Sequence, residues 1–335
     1  MKVLFVVPEI RLDSTPDNMP FWAGILAAIV QKKGGQVGIL DLNALRMRFD
    51  GKKVPTKVIS DEVSAEKWDL IGIGGLTTTY GRIKEIWRYP VKSMGGESLQ
   101  NTTIIEGGIL GDRGYALIDQ TTGKIASAKM PKLWGGLLEL EVVFNEAPKI
   151  DKKLPPVLIT WPDGVKAITD GGDPKGKFTK TVGRSVKMTS KRPKEISLER
   201  LDPLKDEETI LDIGNIMMEG RFSDYAAVHV VTTSSLDRLT EIDPECSYDA
   251  RRFRPNLVID TSAIGKGFIE NDWVGKTLSI GADVRLHISD PTPRCVIPTL
   301  AQKGGIAKES KILQTIVKHN SKSVPLLDDE ILPCI

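Results

Sequence analysis

The chain opens with an apolar run over residues 3–7 closed by Pro8, the pattern of a strand buried on both faces of a parallel sheet. A helix should follow. Pro20 sets its start, Phe21, Trp22, Ile25, Leu26, Ile29 and Val30 recur on one face, and Gly34-Gly35 ends it. Residues 37–40, ending at Asp41, and 70–73, ending in Gly74-Gly75, read as two further strands, with a short helix near 62–67 between them. Residues 1–85 thus read as half of a doubly wound α/β domain. At Trp87 the texture changes to short strands and turns without a flexible linker. Residues 115–119 and 124–128 flank the turn Gln120-Thr121-Thr122-Gly123, and 157–161 and 165–168 flank Pro162-Asp163-Gly164, so both pairs predict hairpins. Leu138, Leu140, Val142 and Phe144 alternate with Glu139, Glu141 and Val143 as in a strand with one buried face. Residues 151–203 are rich in Lys, Gly and Pro, with Asp170-Gly171-Gly172-Asp173-Pro174 an expected exposed loop. From Ala226 a strand over 228–232 leads into a capped helix over 234–239. Farther on, Ile312, Leu313, Ile316 and Val317 mark one face of a helix over 310–320.

At 335 residues the chain predicts two or three domains. Lys plus Arg at 46 against Asp plus Glu at 44 gives a formal charge of +2, which excludes a global bias toward nucleic acid or membrane and makes any anion site local. Three widely spaced cysteines, Cys246, Cys295 and Cys334, argue against a disulfide framework and for a reducing compartment. The first apolar run is too short for a signal peptide and no stretch reaches a membrane span, so a cytoplasmic protein is expected. His229, His287 and His319 are too scattered for a local metal motif.

The stretch of greatest chemical interest is Pro291-Thr292-Pro293-Arg294-Cys295-Val296-Ile297-Pro298-Thr299. Three prolines exclude helix and sheet interior, leaving a rigid, mostly extended loop. At its centre an arginine adjoins a cysteine. The cation favours the thiolate, the form that binds metal, carries sulfur or attacks an electrophile. Read alone, Cys295 is equally a buried apolar residue. Lys92 alone reads as a solvated charge, Arg113 as a hairpin-end ion pair, and Arg251-Arg252-Phe253-Arg254 as a solvated basic loop in which Phe253 turns at least one arginine inward.

Two resemblances extend this reading. Ala27-Ala28, Lys32-Lys33-Gly34-Gly35-Gln36-Val37 and Ile71-Gly72-Ile73-Gly74-Gly75-Leu76-Thr77-Thr78-Thr79-Tyr80 resemble the start of the cobalamin-binding domain of many radical SAM enzymes. That family's Asp-x-His-x-x-Gly motif is missing, as are the rest of the domain and the radical-SAM cluster motif. The fragment is therefore expected to be a structural or vestigial appendage rather than a cobalamin site. Tyr89-Pro90-Val91-Lys92-Ser93, Gly111-Asp112-Arg113, the run from Asp249 through Arg252, Arg254 and Asn256 to Asp260, Asp272-Trp273-Val274-Gly275, and the loop around Cys295 follow in an order that resembles the MOSC superfamily, named for the molybdenum cofactor sulfurase C-terminal domain, with its N-terminal β-barrel partner.

The resemblance implies three domains: a partial Rossmann fragment over 1–85, a mainly-β N-terminal barrel over 86–200, and a MOSC β-barrel with short helices over 201–335. Relatives continue past the matching Leu-Pro-Cys with further strands, so the last domain is expected to be truncated. It also implies that Cys295 is the molybdenum ligand and catalytic centre, a soft thiolate added to the dithiolene sulfurs of molybdopterin. Lys92, Ser93, Arg113, Arg252, Arg254 and Asn256 would hold the pterin, and Arg294 would help balance a thiolate and a phosphorylated cofactor. Pro293 stands where the mitochondrial reductases of the superfamily carry serine. The activity implied is reduction of small N-hydroxylated or N-oxygenated compounds, with electrons from a separate electron-transfer protein. The alternatives are a persulfide carrier on Cys295 fed by a separate cysteine desulfurase, pyridoxal phosphate being absent with the aminotransferase-like domain, and an inert fusion product that only binds cofactor.

Overall fold

Lys2–Val7 is the middle strand of a three-stranded parallel sheet, flanked by Gln36–Asp41 and Leu70–Ile73. Its alternating side chains serve both faces. Val3 and Phe5 pack with Val30 of the helix Phe21–Lys32 and with Val37, while Leu4 and Val6 meet Leu42, Leu45, Val54, Val58 and Trp68. The run is uniformly apolar because neither face meets water. The intervening helix is Thr56–Ser64, earlier than expected, because Pro55, unable to continue a helix from its own preceding turn, stands at its N-cap.

The computed structural model describes residues 1–7, 21–49, 54–73, 82–193, 197–202, 207–212, 221–224, 226–281, 283–327 and 330–335. Pro8, Pro20 and the 74–80 stretch of the first resemblance lie outside the described residues. The chain divides into two units, Met1–Gly81 and Arg82–Ile335. Among the described residues no helix is long and apolar enough to cross a membrane.

The second unit is mainly β. Glu141–Phe144, Val157–Thr160 and Lys166–Thr169 form an antiparallel sheet, including the hairpin expected around Pro162-Asp163-Gly164. Their inward residues join Tyr115, Trp134, Trp161, Phe178 and Met188 in the largest core. A four-stranded sheet runs Val230–Thr232, Leu257–Asp260, Arg82–Arg88, Glu97–Leu99, with only the first pair parallel. Arg82–Arg88 therefore carries the strand ladder of the early segment into the late one, and the segments expected to be separate barrels at 86–200 and 201–335 share one sheet and one compact unit. The helix Lys311–His319 buries Ile312, Leu313 and Ile316, the face read from its spacing.

Two local expectations change, and a third is met with an addition. Ala116–Asp119 closes the expected hairpin with 124–128, Asp119 N donating to Lys124 O and Ala126 N to Leu117 O at 2.9 Å, and it also pairs with Val186–Thr189. Gly135–Glu139 is a three-ten turn that buries the consecutive Leu137 and Leu138, which a one-faced strand cannot do, so extended chain begins only at Glu141. Within the Lys-, Gly- and Pro-rich stretch, Lys177–Val182 is a helix whose Phe178 enters the core. Asp173 starts it by accepting from the Phe178 and Thr179 amides at 2.8 and 3.1 Å.

Candidate functional site

Strand Arg82–Arg88 delivers Tyr89-Pro90-Val91-Lys92-Ser93 into the interior. The Lys92 amide donates to Tyr115 O at 2.8 Å, and Ser93, at φ 63°, accepts from the Ala128 amide at 2.9 Å through its Oγ. These bonds bring the segment that contains Lys129 alongside. The buried Lys92 Nζ donates to Phe222 O at 2.9 Å and to Asp224 Oδ1, while Lys129 Nζ reaches Asp224 Oδ2 at 2.9 Å. Burial pushes Lys92 below its ordinary lysine value, only partly offset by Asp224. Burial alone would raise Asp224, yet Lys129 and Lys92 hold it far below the carboxylate range. Burial likewise opposes charge on Lys129, but the fields of Asp224 and Cys295 push it up.

Arg113 and Arg254 flank Tyr89, their guanidinium carbons 4.4 and 4.3 Å from the centre of its ring. Arg113 donates to Asp112 Oδ2 at 2.6 Å and to Arg254 O at 3.1 Å, and its own carbonyl accepts from the Phe222 amide at 2.9 Å. Asp112 also holds Arg221 at 2.9 Å and accepts from the Tyr89 amide at 2.8 Å. Arg254 is pushed down to about 10 by burial first and by Arg113 next.

Two features mark this cluster. Five non-glycine residues among those described have positive φ, and Ser93, Arg113 and Arg254 are three of them, at 63°, 48° and 53°. Left-handed backbone at such residues costs on the order of 1 kcal/mol each and persists where the surroundings enforce it, commonly at functional sites. In addition Arg254 Nη2, Tyr89 Oη and Ser223 Oγ are buried without a hydrogen-bond partner. Unpaired buried donors cost about 1–3 kcal/mol each.

The cysteine loop departs from the expected extended path after Cys295, where Val296 turns helical (φ −66°, ψ −21°) and Ile297–Thr299 forms a three-ten turn with Pro298 in its first positions; before that it is fixed by the end of the chain. Arg294 N donates to Pro333 O at 2.7 Å, Ile335 N to Thr292 O at 3.2 Å, and Pro293 bridges Cys334. Cys295 is half-buried, whereas Cys246 and Cys334 are buried. Thr299 closes the turn after it by donating to Val296 O at 2.7 Å, so its hydroxyl shapes the loop.

The other expected ligand residues are placed differently. Arg294 spends its guanidinium on Thr292 O, Phe253 O, Ile335 O and His229 Nε2, at 2.9–3.1 Å. It clamps the loop. Burial and Arg294 hold the His229 ring well below its ordinary value, so the imidazole is neutral and accepts from that arginine. Arg252, 1% exposed, donates to Ser247 O, Pro298 O and Ala307 O, and its Nη2 lies 3.2 Å from Glu309 in an ion pair without making a hydrogen bond. Asn256 accepts from the His229 amide at 3.1 Å and donates to Trp87 O at 3.2 Å, stitching strands together. The structure therefore groups Lys92, Ser93, Arg113 and Arg254, and assigns Arg252, Asn256 and Arg294 to the frame.

Tyr89, Asp112, Lys129, Ser223 and Asp224 were not foreseen. Tyr89 and Asp112 sit inside motifs already singled out and were legible as neighbours. Lys129, Ser223 and Asp224 have no local signal, because Lys129 and Asp224 join Lys92 only through tertiary contacts and Ser223 stands out only as a buried, unpartnered hydroxyl.

Residues 218–325 match the family model of the MOSC domain, and residues 80–143 that of the MOSC N-terminal beta barrel domain. The chain is 26% identical over 274 residues to a molybdenum cofactor sulfurase of Oryza sativa subsp. japonica, covering 73% of this chain and 31% of that protein. It is 24% identical over 259 residues to mitochondrial amidoxime reducing component 2 of Rattus norvegicus, covering 71% of this chain and 72% of that protein. The chain thus spans about a third of the length of the rice protein.

Proposed function

We propose, on the premise that a chain with both MOSC matches shares their cofactor chemistry, that residues 82–335 bind a molybdenum–pterin cofactor and reduce small N-hydroxylated or N-oxygenated compounds. The observation that carries the reading is the set of buried unpartnered atoms, Arg254 Nη2, Tyr89 Oη and Ser223 Oγ, among Lys92, Lys129, Arg113 and Arg254. Such donors suit the phosphate of a phosphorylated pterin. Cys295 offers one soft thiolate, the donor suited to a metal already held by the pterin sulfurs. The bound group would supply the two-electron, oxygen-removing chemistry. The chain's own work is to hold the phosphate on Lys92, Arg113 and Arg254, to fix the Cys295 loop through Arg294, and to keep His229 neutral beside it. Electrons would come from a separate protein.

The test is molybdenum and pterin analysis of the purified full chain. Stoichiometric molybdenum with a phosphorylated pterin is expected. Metal-free protein carrying cyanide-labile sulfur on Cys295 would overturn the reading in favour of a persulfide carrier.

One variant separates ligand binding from folding. Arg254→Met removes a buried cation whose charge burial disfavours, so ligand-free protein should gain about 1 kcal/mol in urea unfolding. The same variant loses a charge-assisted bond of about 1.5–3 kcal/mol to the phosphate, so cofactor affinity should fall roughly tenfold to a hundredfold. Weakened binding together with lowered stability would make Arg254 a framework residue like Arg252.

A further inference from the structure

A carboxylate already sits where a phosphate would be at home. Asp224 spans two ammonium groups, one oxygen to each: Oδ1 to Lys92 and Oδ2 to Lys129. The lysine side chains are 5% and 15% exposed and the carboxylate 39%, so Asp224 lies over them from the solvent side. A carboxylate and a phosphate present the same chemistry to an ammonium, a compact anion accepting charge-assisted hydrogen bonds. The remaining cations of the cluster make no ion pair with Asp224 among the described contacts, although its field reaches Arg254. Among the described ion pairs, Lys92 and Lys129 share Asp224, Arg113 and Arg221 share Asp112, and Arg254, whose Nη2 has no hydrogen-bond partner, has no carboxylate of its own, so these contacts leave positive charge in excess that a second anion would relieve.

We propose that Asp224 is an internal stand-in for the ligand phosphate, a displaceable counter-ion that occupies Lys92 and Lys129 until a phosphate-bearing ligand takes its place. The inference rests on the proposed function only in placing the phosphate end of the cofactor here; phosphate binding itself needs no molybdenum. Its consequence is a threshold. An incoming phosphate must separate Asp224 from both lysines, so weak anions are excluded and a ligand with further contacts, to Arg254 and Ser223, succeeds.

The experiment is calorimetric titration of the full chain, expressed without a pterin source, with inorganic phosphate. Asp224→Asn keeps the shape and removes the competing charge, and should bind phosphate about tenfold more tightly than the parent, the gain shrinking as salt is raised. Asp224→Glu keeps the charge and should stay within about twofold. Equal or weaker binding by Asp224→Asn, with the parental unfolding midpoint retained, would overturn the proposal and make Asp224 a residue that positions the two lysines. If Asp224→Asn is too unstable to titrate, the double variant D224N/K129Q keeps the parental net charge and frees Lys92. Tighter phosphate binding there supports displacement, and unchanged or weaker binding overturns it. Loss of the molybdenum reading with these phosphate results intact would leave Asp224 a counter-ion for another phosphorylated ligand.

Discussion

Cys295→Ala should abolish molybdenum retention, by at least about a hundredfold in metal per chain, while leaving pterin content within about twofold of the parent. The first part follows from ligand chemistry. Losing groups that merely orient ligands already costs tenfold to a hundredfold in metal affinity, and a direct thiolate ligand costs more. The second follows from geometry, because Lys92, Arg113 and Arg254 are held by Asp224, Asp112 and Tyr89, and none of those contacts passes through Cys295. Cys295 is half-buried in a loop fixed by its backbone and by Arg294, so the change should move folding stability by less than about 1 kcal/mol. The other thiols serve as controls. Burial first, then Asp243 and Glu309, push Cys246 up to about 12, and burial pushes Cys334 up to about 11. Both stay protonated at neutral pH, so Cys246→Ser and Cys334→Ser should keep their molybdenum. Parallel loss of pterin and metal in Cys295→Ala would mean that the loop also shapes the phosphate cradle. Full retention of molybdenum would remove Cys295 from the metal.

What the sequence made legible is what local pattern controls. The apolar run at 3–7, the hairpin around Pro162-Asp163-Gly164 and the face of Lys311–His319 follow from periodicity and turn chemistry alone. The Tyr-Pro-Val-Lys-Ser and Gly-Asp-Arg motifs pointed to Lys92, Ser93 and Arg113, which do meet, and the positive φ at Ser93, Arg113 and Arg254 shows why a short rigid motif is needed there. The failures are of another kind. Arg252 and Arg254 are two residues apart with the same side chain, yet a three-ten turn ending in a left-handed residue sends one to the Ser247, Pro298 and Ala307 carbonyls and the other to Tyr89. No composition or spacing distinguishes them, because the difference is one of backbone conformation. Asp224 illustrates the converse. It is an unremarkable acid in sequence, and it matters because the fold brings it to two lysines from distant segments.

The largest loss of stability is expected at Asp112. Its 1%-exposed carboxylate takes the Tyr89 amide on one oxygen and both Arg113 and Arg221 on the other, while its backbone carbonyl accepts Arg221 Nε at 2.9 Å. Asp112→Ala leaves two guanidinium groups, 15% and 9% exposed, without their counter-charge and orphans a buried amide. Removing one partner from a buried ion pair costs about 3–5 kcal/mol, and two arginines share this one. Urea unfolding of the ligand-free chain should therefore shift by at least the upper part of that range. Asp112→Asn keeps an acceptor for the Tyr89 amide and one for an arginine, and should recover part of the loss. Arg221→Met, made in the Asp112→Ala background, supplies the decisive comparison. It removes one stranded charge, so the double variant should be more stable than Asp112→Ala, although Arg221→Met alone should destabilise the parent. If the two changes simply add, the arginines are not paired through Asp112, and the position of Tyr89 between Arg113 and Arg254 must have another origin.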